Sequence, residues 1–87
     1  MIMQDNKKVI LKALAKTMKT LRGKQSQFIM ASENDISISI ISTAERGLKD
    51  PQLTTLYKIA EAYGMSLSNF IKELEKNLPE NFSLIDK

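Results

Sequence analysis

The residues with chemistry to offer lie between Ser26 and Gly47, where hydroxyl and amide side chains punctuate short apolar runs: Ser-Gln-Phe-Ile-Met-Ala-Ser-Glu-Asn-Asp-Ile-Ser-Ile-Ser-Ile-Ile-Ser-Thr-Ala-Glu-Arg-Gly. The 87-residue chain has no histidine and no cysteine. It therefore lacks the commonest general base and metal ligand, and neither a disulfide nor a thiolate metal site can form. Nor does it show a paired-carboxylate arrangement or a glycine-rich phosphate loop. An enzyme is not expected, and neither a metal nor another cofactor is implied. What remains is binding by hydrogen bonds and charge. Residues 1–24 hold seven Lys or Arg (Lys7, Lys8, Lys12, Lys16, Lys19, Arg22 and Lys24) against Asp5 alone, a net +6, whereas residues 25–87 carry −3. A basic half on a small domain suits a polyanion such as a nucleic-acid backbone, the alternative being a solvated lysine face.

The hydroxyls between Ser26 and Gly47 fall where helices should begin. Ser26 can cap a helix of about two turns running through Glu33, its oxygen accepting from a backbone N–H two or three residues on. Asn34-Asp35 then offers a break, because both side chains tolerate the left-handed conformation. Ile36 would tuck into the core, Ser37 would cap a second helix reaching Arg46, and Gly47 would end it. Two short helices joined by a tight turn in a basic chain make a helix-turn-helix candidate.

The remaining elements must hold that pair. Residues 1–5 are expected to be disordered. From about Asn6, the apolar positions Ile10, Leu14, Met18 and Leu21 recur at helical spacing and predict a helix ending near Arg22-Gly23. After the loop Arg46–Pro51, with Pro51 suited to the start of the next element, a fourth helix carries Leu53, Leu56, Ile59, Ala60 and Tyr63 and closes at Gly64. Ser66 can cap a fifth, with Leu67, Phe70, Ile71, Leu74 and Leu78 on its apolar side, stopped by Pro79. The sequence thus divides into a disordered 1–5, a domain over 6–78 and a tail over 79–87, in one all-α domain with a single modest core. No apolar run approaches the roughly 20 residues that would span a bilayer. The N-terminus does not lead into the apolar core of a signal peptide. A soluble cytoplasmic domain without membrane contact is the expectation.

The spacing of Gln27, Ala31, Ile36, Ile41, Glu45-Arg46-Gly47, Pro51, Leu53, Leu56, Ile59-Ala60, Gly64 and Ser66-Leu67-Ser68 resembles the Cro/repressor-type (XRE) helix-turn-helix family over about Leu14 to Leu74. The resemblance implies a compact five-helix lambda-repressor-like domain. Several positions depart from the family pattern. The linker Leu21–Gln25 is about two residues short, with Gln25 in an apolar position. Asn34 also stands in an apolar position, and Asp35 in place of the turn glycine. Phe28 and Ile29 stand where charged residues are usual. A slight rotation of the helix that buries them is the expected arrangement, the alternative being an exposed apolar patch.

In this family the second helix of the motif lies in the major groove while the first crosses the backbone. Position by position, the resemblance assigns base contacts to Ile38, Ser39, Ser42 and Thr43. With no Arg, Gln or Asn among them, direct readout should be modest, with hydroxyls and thymine-methyl contacts leading and DNA shape contributing. Ile40 is as well explained by packing as by DNA contact. Phosphate contacts fall to Ser26, Gln27, Ser37, Arg46, Lys49 and Lys24, while Lys7, Lys8 and Lys12 supply a diffuse field. Glu45 would repel phosphate and is expected to pair with a basic residue of the first helix, Arg22 or Lys19. Family members usually dimerise. Here Phe70, Leu74, Leu78, Phe82, Leu84 and Ile85 would form the interface, the alternative being a tail folded back over its own domain. The implied function is a sequence-specific regulator of transcription binding double-stranded DNA, a small homodimeric repressor or operon controller. The other reading is an antitoxin or adaptor whose main partner is another protein, supported by the weak recognition-helix chemistry.

Overall fold

Each of the three serines read as helix caps begins a helix. In the computed structural model, which describes residues 5–85, Ser26 Oγ accepts from the Ile29 N–H (3.1 Å), Ser37 Oγ from the Ser39 N–H (3.2 Å) and Ser66 Oγ from the Asn69 N–H (3.1 Å). They open α2 (Gln27–Glu33), α3 (Ile38–Glu45) and α5 (Leu67–Glu75). The long α1 (Asp5–Arg22) precedes them, and α4 (Leu53–Ala62) lies between α3 and α5. Among the described residues there are five helices and no strand, the architecture of a lambda-repressor-like domain. None of the helices is long and apolar enough to cross a membrane.

Of the segment expected to be disordered, residues 1–4 lie outside the described residues, and Asp5 is already the first residue of α1. Pro51 does not open α4. It is buried in the preceding loop, and Gln52 occupies the N-cap position without a side-chain cap. Leu53, counted in the inward stripe of α4, is 68% exposed because it stands in the first turn, before the helix reaches the core at Ile59 and Ala60.

The core forms where α1 packs on α3 and α5, with α2 against α3 and α4 against α5. Met18, Met30, Ile41, Ile59 and Phe70 are fully buried at its centre. Phe70 stacks on Tyr63 with ring centroids 6.2 Å apart, and the Tyr63 hydroxyl donates to the Met18 carbonyl at 3.2 Å. Burial pushes the Tyr63 phenol well above its ordinary pKa, so it stays a neutral donor tying α4 to α1. The Thr17 hydroxyl donates to the Ala13 carbonyl and accepts from Asn77 Nδ2, both at 2.8 Å, which pins the end of α5 to α1.

Beyond Glu75 the chain departs from the expected helix to Leu78. The Asn77 and Leu78 N–H groups reach back three residues, to Leu74 and Glu75, the tighter pattern in which helices often finish before a proline. A turn between Pro79 and Phe82 then sends the tail back to α1, where Asn6 Nδ2 donates to the Ser83 carbonyl at 2.7 Å. Phe82 and Leu84 thereby line a groove with Ile10, Leu56, Ile71 and Leu78, about 530 Å³ in volume. The tail lies over its own domain.

Candidate nucleic-acid interface

The turn between α2 and α3 is built from residues that replace the usual glycine. Asp35 adopts φ +53°, a conformation that a short polar side chain accepts more readily than most. The Asn34 amide donates to the Met30 carbonyl at 2.7 Å, and the Asn34 and Ile36 N–H groups both bond the Ala31 carbonyl. Ile36 is buried, and Ala31, small and buried, lets the two helices approach. These bonds fix the angle at which α3 leaves α2.

Glu45 locks the pair to α1. Its carboxylate, 3% exposed, receives Nε and Nη2 of Arg22 at 2.7 and 2.8 Å and Nε2 of Gln27 at 2.9 Å. Of the two candidates for this pairing, Arg22 holds it. Burial alone would push the Glu45 carboxyl up, but the hydrogen bonds from Arg22 and Gln27 and the charges of Arg22 and Lys19 outweigh it and hold the pKa below the ordinary value. The Arg22 guanidinium is raised by the same hydrogen bonding, against a smaller opposing effect of burial. One buried acid thus joins the ends of α1 and α3 and the first residue of α2.

On this frame α3 turns Ile41, Ala44 and Glu45 inward. Ile40 is half-buried and packs against the core. Ile38, 45% exposed, and Ser39 stand open in the first turn, with Ser42 and Thr43 half-buried one turn on. The Thr43 hydroxyl donates to the Ser39 carbonyl at 2.7 Å. Its proton is thereby spent, and what the hydroxyl keeps is an acceptor lone pair.

The expected phosphate ligands differ in what they have left to give. Ser26 and Ser37 spend a lone pair on their caps and keep the hydroxyl proton. Gln27 spends one amide hydrogen on Glu45 and keeps the other. Lys24, Arg46 and Lys49 are exposed. The Leu48 N–H bonds the Thr43 carbonyl at 3.0 Å, so the loop carrying Arg46 and Lys49 starts against the last turn of α3.

Two expectations are overturned here. Phe28 and Ile29 are not buried but 68% and 46% exposed. The seven-residue α2 gives its inward face to Met30 and Ala31, and at about 100° per residue the direction midway between them lies roughly 110° from Phe28 and roughly 150° from Ile29. Turning either inward would pull Met30 or Ala31 out. Phe70 and Leu74, expected at a dimer surface, are 0% and 6% exposed inside the monomer, so neither is available to a partner. Leu78 and Phe82 are half-buried along the groove, and only Leu84 and Ile85 of that group stand exposed, at 48% and 71%. Sequence reasoning also missed the convergence of Lys12, Lys16 and Lys19 beside Arg46. The signal was present in their spacing of four and three residues along one face of α1.

Residues 30–70 match the family model described as helix-turn-helix. The match starts inside α2 and ends at Phe70, taking in the turn, α3 and α4 and leaving α1 outside. No curated protein and no solved structure is significantly similar to the chain. With the capped helix pair, the buried acid at the end of α3 and the helical match in agreement, residues 30–70 form a helix-turn-helix domain of the Cro/repressor (XRE) type, a DNA-binding class.

Proposed function

We propose that the protein is a sequence-specific transcriptional regulator, a small homodimeric repressor or operon controller that lays α3 in the major groove of double-stranded DNA. The observation that carries this reading is the exposed first turn of α3, held by Ser37, the Asp35 turn and the Glu45 lock, with cationic side chains nearby. Ile38, Ser39, Ser42 and Thr43 face the bases, and Ser26, Gln27, Ser37, Lys24, Arg46 and Lys49 grip phosphates. The test is selection from a randomised duplex pool at about 150 mM salt. Enrichment of a two-fold-symmetric motif with half-sites roughly 34 Å apart is expected. Salt-sensitive binding with no enriched motif would overturn the reading.

Point variants separate the roles. Ser42→Ala should relax one base position, lowering discrimination there by roughly tenfold, about 1.4 kcal/mol, while leaving the rest of the motif intact. Lys49→Ala should weaken all sequences alike and flatten the salt dependence by about one contact. Both are read from equilibrium binding to matched and mismatched duplexes.

For the dimer, the surface still exposed is that of Leu84, which lines the groove between α1, α5 and the tail, and of Ile85 next to it in the chain. Burying such side chains is worth roughly 1.5–3 kcal/mol each before association costs. Leu84→Glu with Ile85→Glu is therefore expected to convert dimer to monomer in light scattering, with the fold intact by circular dichroism. An unchanged dimer would place the contact elsewhere. The exposed Phe28 and Ile29 favour the second reading, an antitoxin or adaptor seated on another protein.

A further inference from the structure

Along α1, Lys12, Lys16 and Lys19 face a groove of about 480 Å³ whose opposite wall is Arg46 and Gly47 at the end of α3, with the Thr20 hydroxyl at its edge. Among the described residues the ion pairs are Lys7 with Asp50, Arg22 with Glu45 and Lys76 with Glu73. None engages the four cations of the groove. Glu45 also lines it, yet its charge is already met by the two-pronged contact of Arg22 and by Gln27. The negative end of α3 is closed as well. The Ser42, Thr43 and Ala44 carbonyls accept from the N–H groups of Arg46, Leu48 and Gly47, with Gly47 at φ +73°. The groove therefore has a dense positive field with its nearby negative groups engaged. Lysines three and four residues apart on one helix repel each other, and an anion between them relieves that repulsion.

We propose that this groove is a second phosphate site, holding the DNA backbone that flanks the bases read by α3. The proposal rests on the DNA-binding reading above. It is continuous with that interface through Arg46, which belongs both to the groove and to the loop leaving α3. From Lys12 to Lys19 the helix advances about 10 Å. One strand of the duplex carries a phosphate about every 3.4 Å of axis, so the stripe is long enough to meet more than one. Lys12 thus serves in a built site rather than in a diffuse field, whereas Lys7 is drawn toward Asp50 at 3.9 Å.

The test compares wild type with the double variant Lys12→Gln/Lys16→Gln on the selected motif, once in a long duplex and once trimmed to the motif itself. On the long duplex the variant's log–log salt slope should be shallower by about 2, with affinity near 150 mM salt lower by roughly tenfold for matched and scrambled sequences alike. The preferred motif should not change. On the trimmed duplex the two proteins should bind equally. A normal wild-type slope that the variant leaves unchanged overturns the groove assignment while the regulator reading stands. A wild type that does not bind DNA overturns both. If inorganic phosphate stabilises wild type but not the variant while the DNA slopes agree, the groove is a small-anion site and the backbone assignment falls. Thermal melts of both proteins exclude unfolding as the cause, since both substitutions are on exposed positions of α1.

Discussion

Phe70→Ala is expected to lower the unfolding free energy by about 3–5 kcal/mol, equally at every protein concentration. Phe70 is fully buried among Met18, Met30, Ile41 and Ile59 and stacks on Tyr63. Its removal opens a cavity at the junction of α1, α4 and α5 and takes away the ring that holds Tyr63 against Met18. Domains of this kind are stable by only about 5–15 kcal/mol in total, so the variant should melt on the order of 20 °C lower or be partly unfolded at 37 °C. The result distinguishes two roles. An interface residue would change the dimer dissociation constant and leave the monomer's melting temperature intact. Chemical denaturation at two well-separated protein concentrations measures which occurs. An undiminished stability would contradict the placement of Phe70 in the core.

The second large effect is an asymmetry at the Arg22–Glu45 pair. Arg22→Met strands the Glu45 carboxylate, which is 3% exposed, with Gln27 as its remaining side-chain donor. Breaking a buried pair in this way costs about 3 kcal/mol or more. Glu45→Gln should cost less, because the Arg22 side chain is 19% exposed and the stem lets its head group reach water. Replacing the acid also leaves an amide able to accept from Arg22. The pH dependence has a definite sign. Glu45 titrates lower in the folded protein than its ordinary 4.5, so the unfolded chain takes up its proton first as pH falls. The stability this carboxylate contributes is present in full above the ordinary carboxylate range. It is lost progressively as pH drops through 4.5 and below toward the folded value. Glu45→Gln should flatten the acid limb of the stability curve, measured by urea unfolding between pH 3 and 7. An equally steep acid limb in the variant would assign the loss to other carboxylates. Arg22→Met should also impair DNA binding beyond its effect on stability, since the same acid positions Gln27 and the end of α3.

The local devices were readable in the chain. Ser26, Ser37 and Ser66 begin helices because a side-chain oxygen two or three residues from an orphan N–H needs nothing beyond its own segment. Gly47 and Gly64 end helices for an equally local reason, a positive φ that other residues resist. The motif spacing carried the family, and with it the expectation that Glu45 would meet a basic residue of α1. Tertiary structure decided which of several apolar side chains went inside. Over two turns of α2, periodicity cannot separate Phe28 and Ile29 from Met30 and Ala31, because a helix this short presents an apolar residue in every direction. The face that wins is set by contact with α3. The apolar stripe of α5 serves the core at Phe70 and Leu74, and its continuation beyond Glu75 serves the groove at Leu78. Where it changes from one to the other depends on how α1 crosses it. The meeting of Lys12, Lys16 and Lys19 with Arg46 is of the same kind. The lysines share a face by sequence alone, but Arg46 joins them because α3 packs on α1, with Glu45 tied to Arg22, a contact between residues 23 apart in the chain.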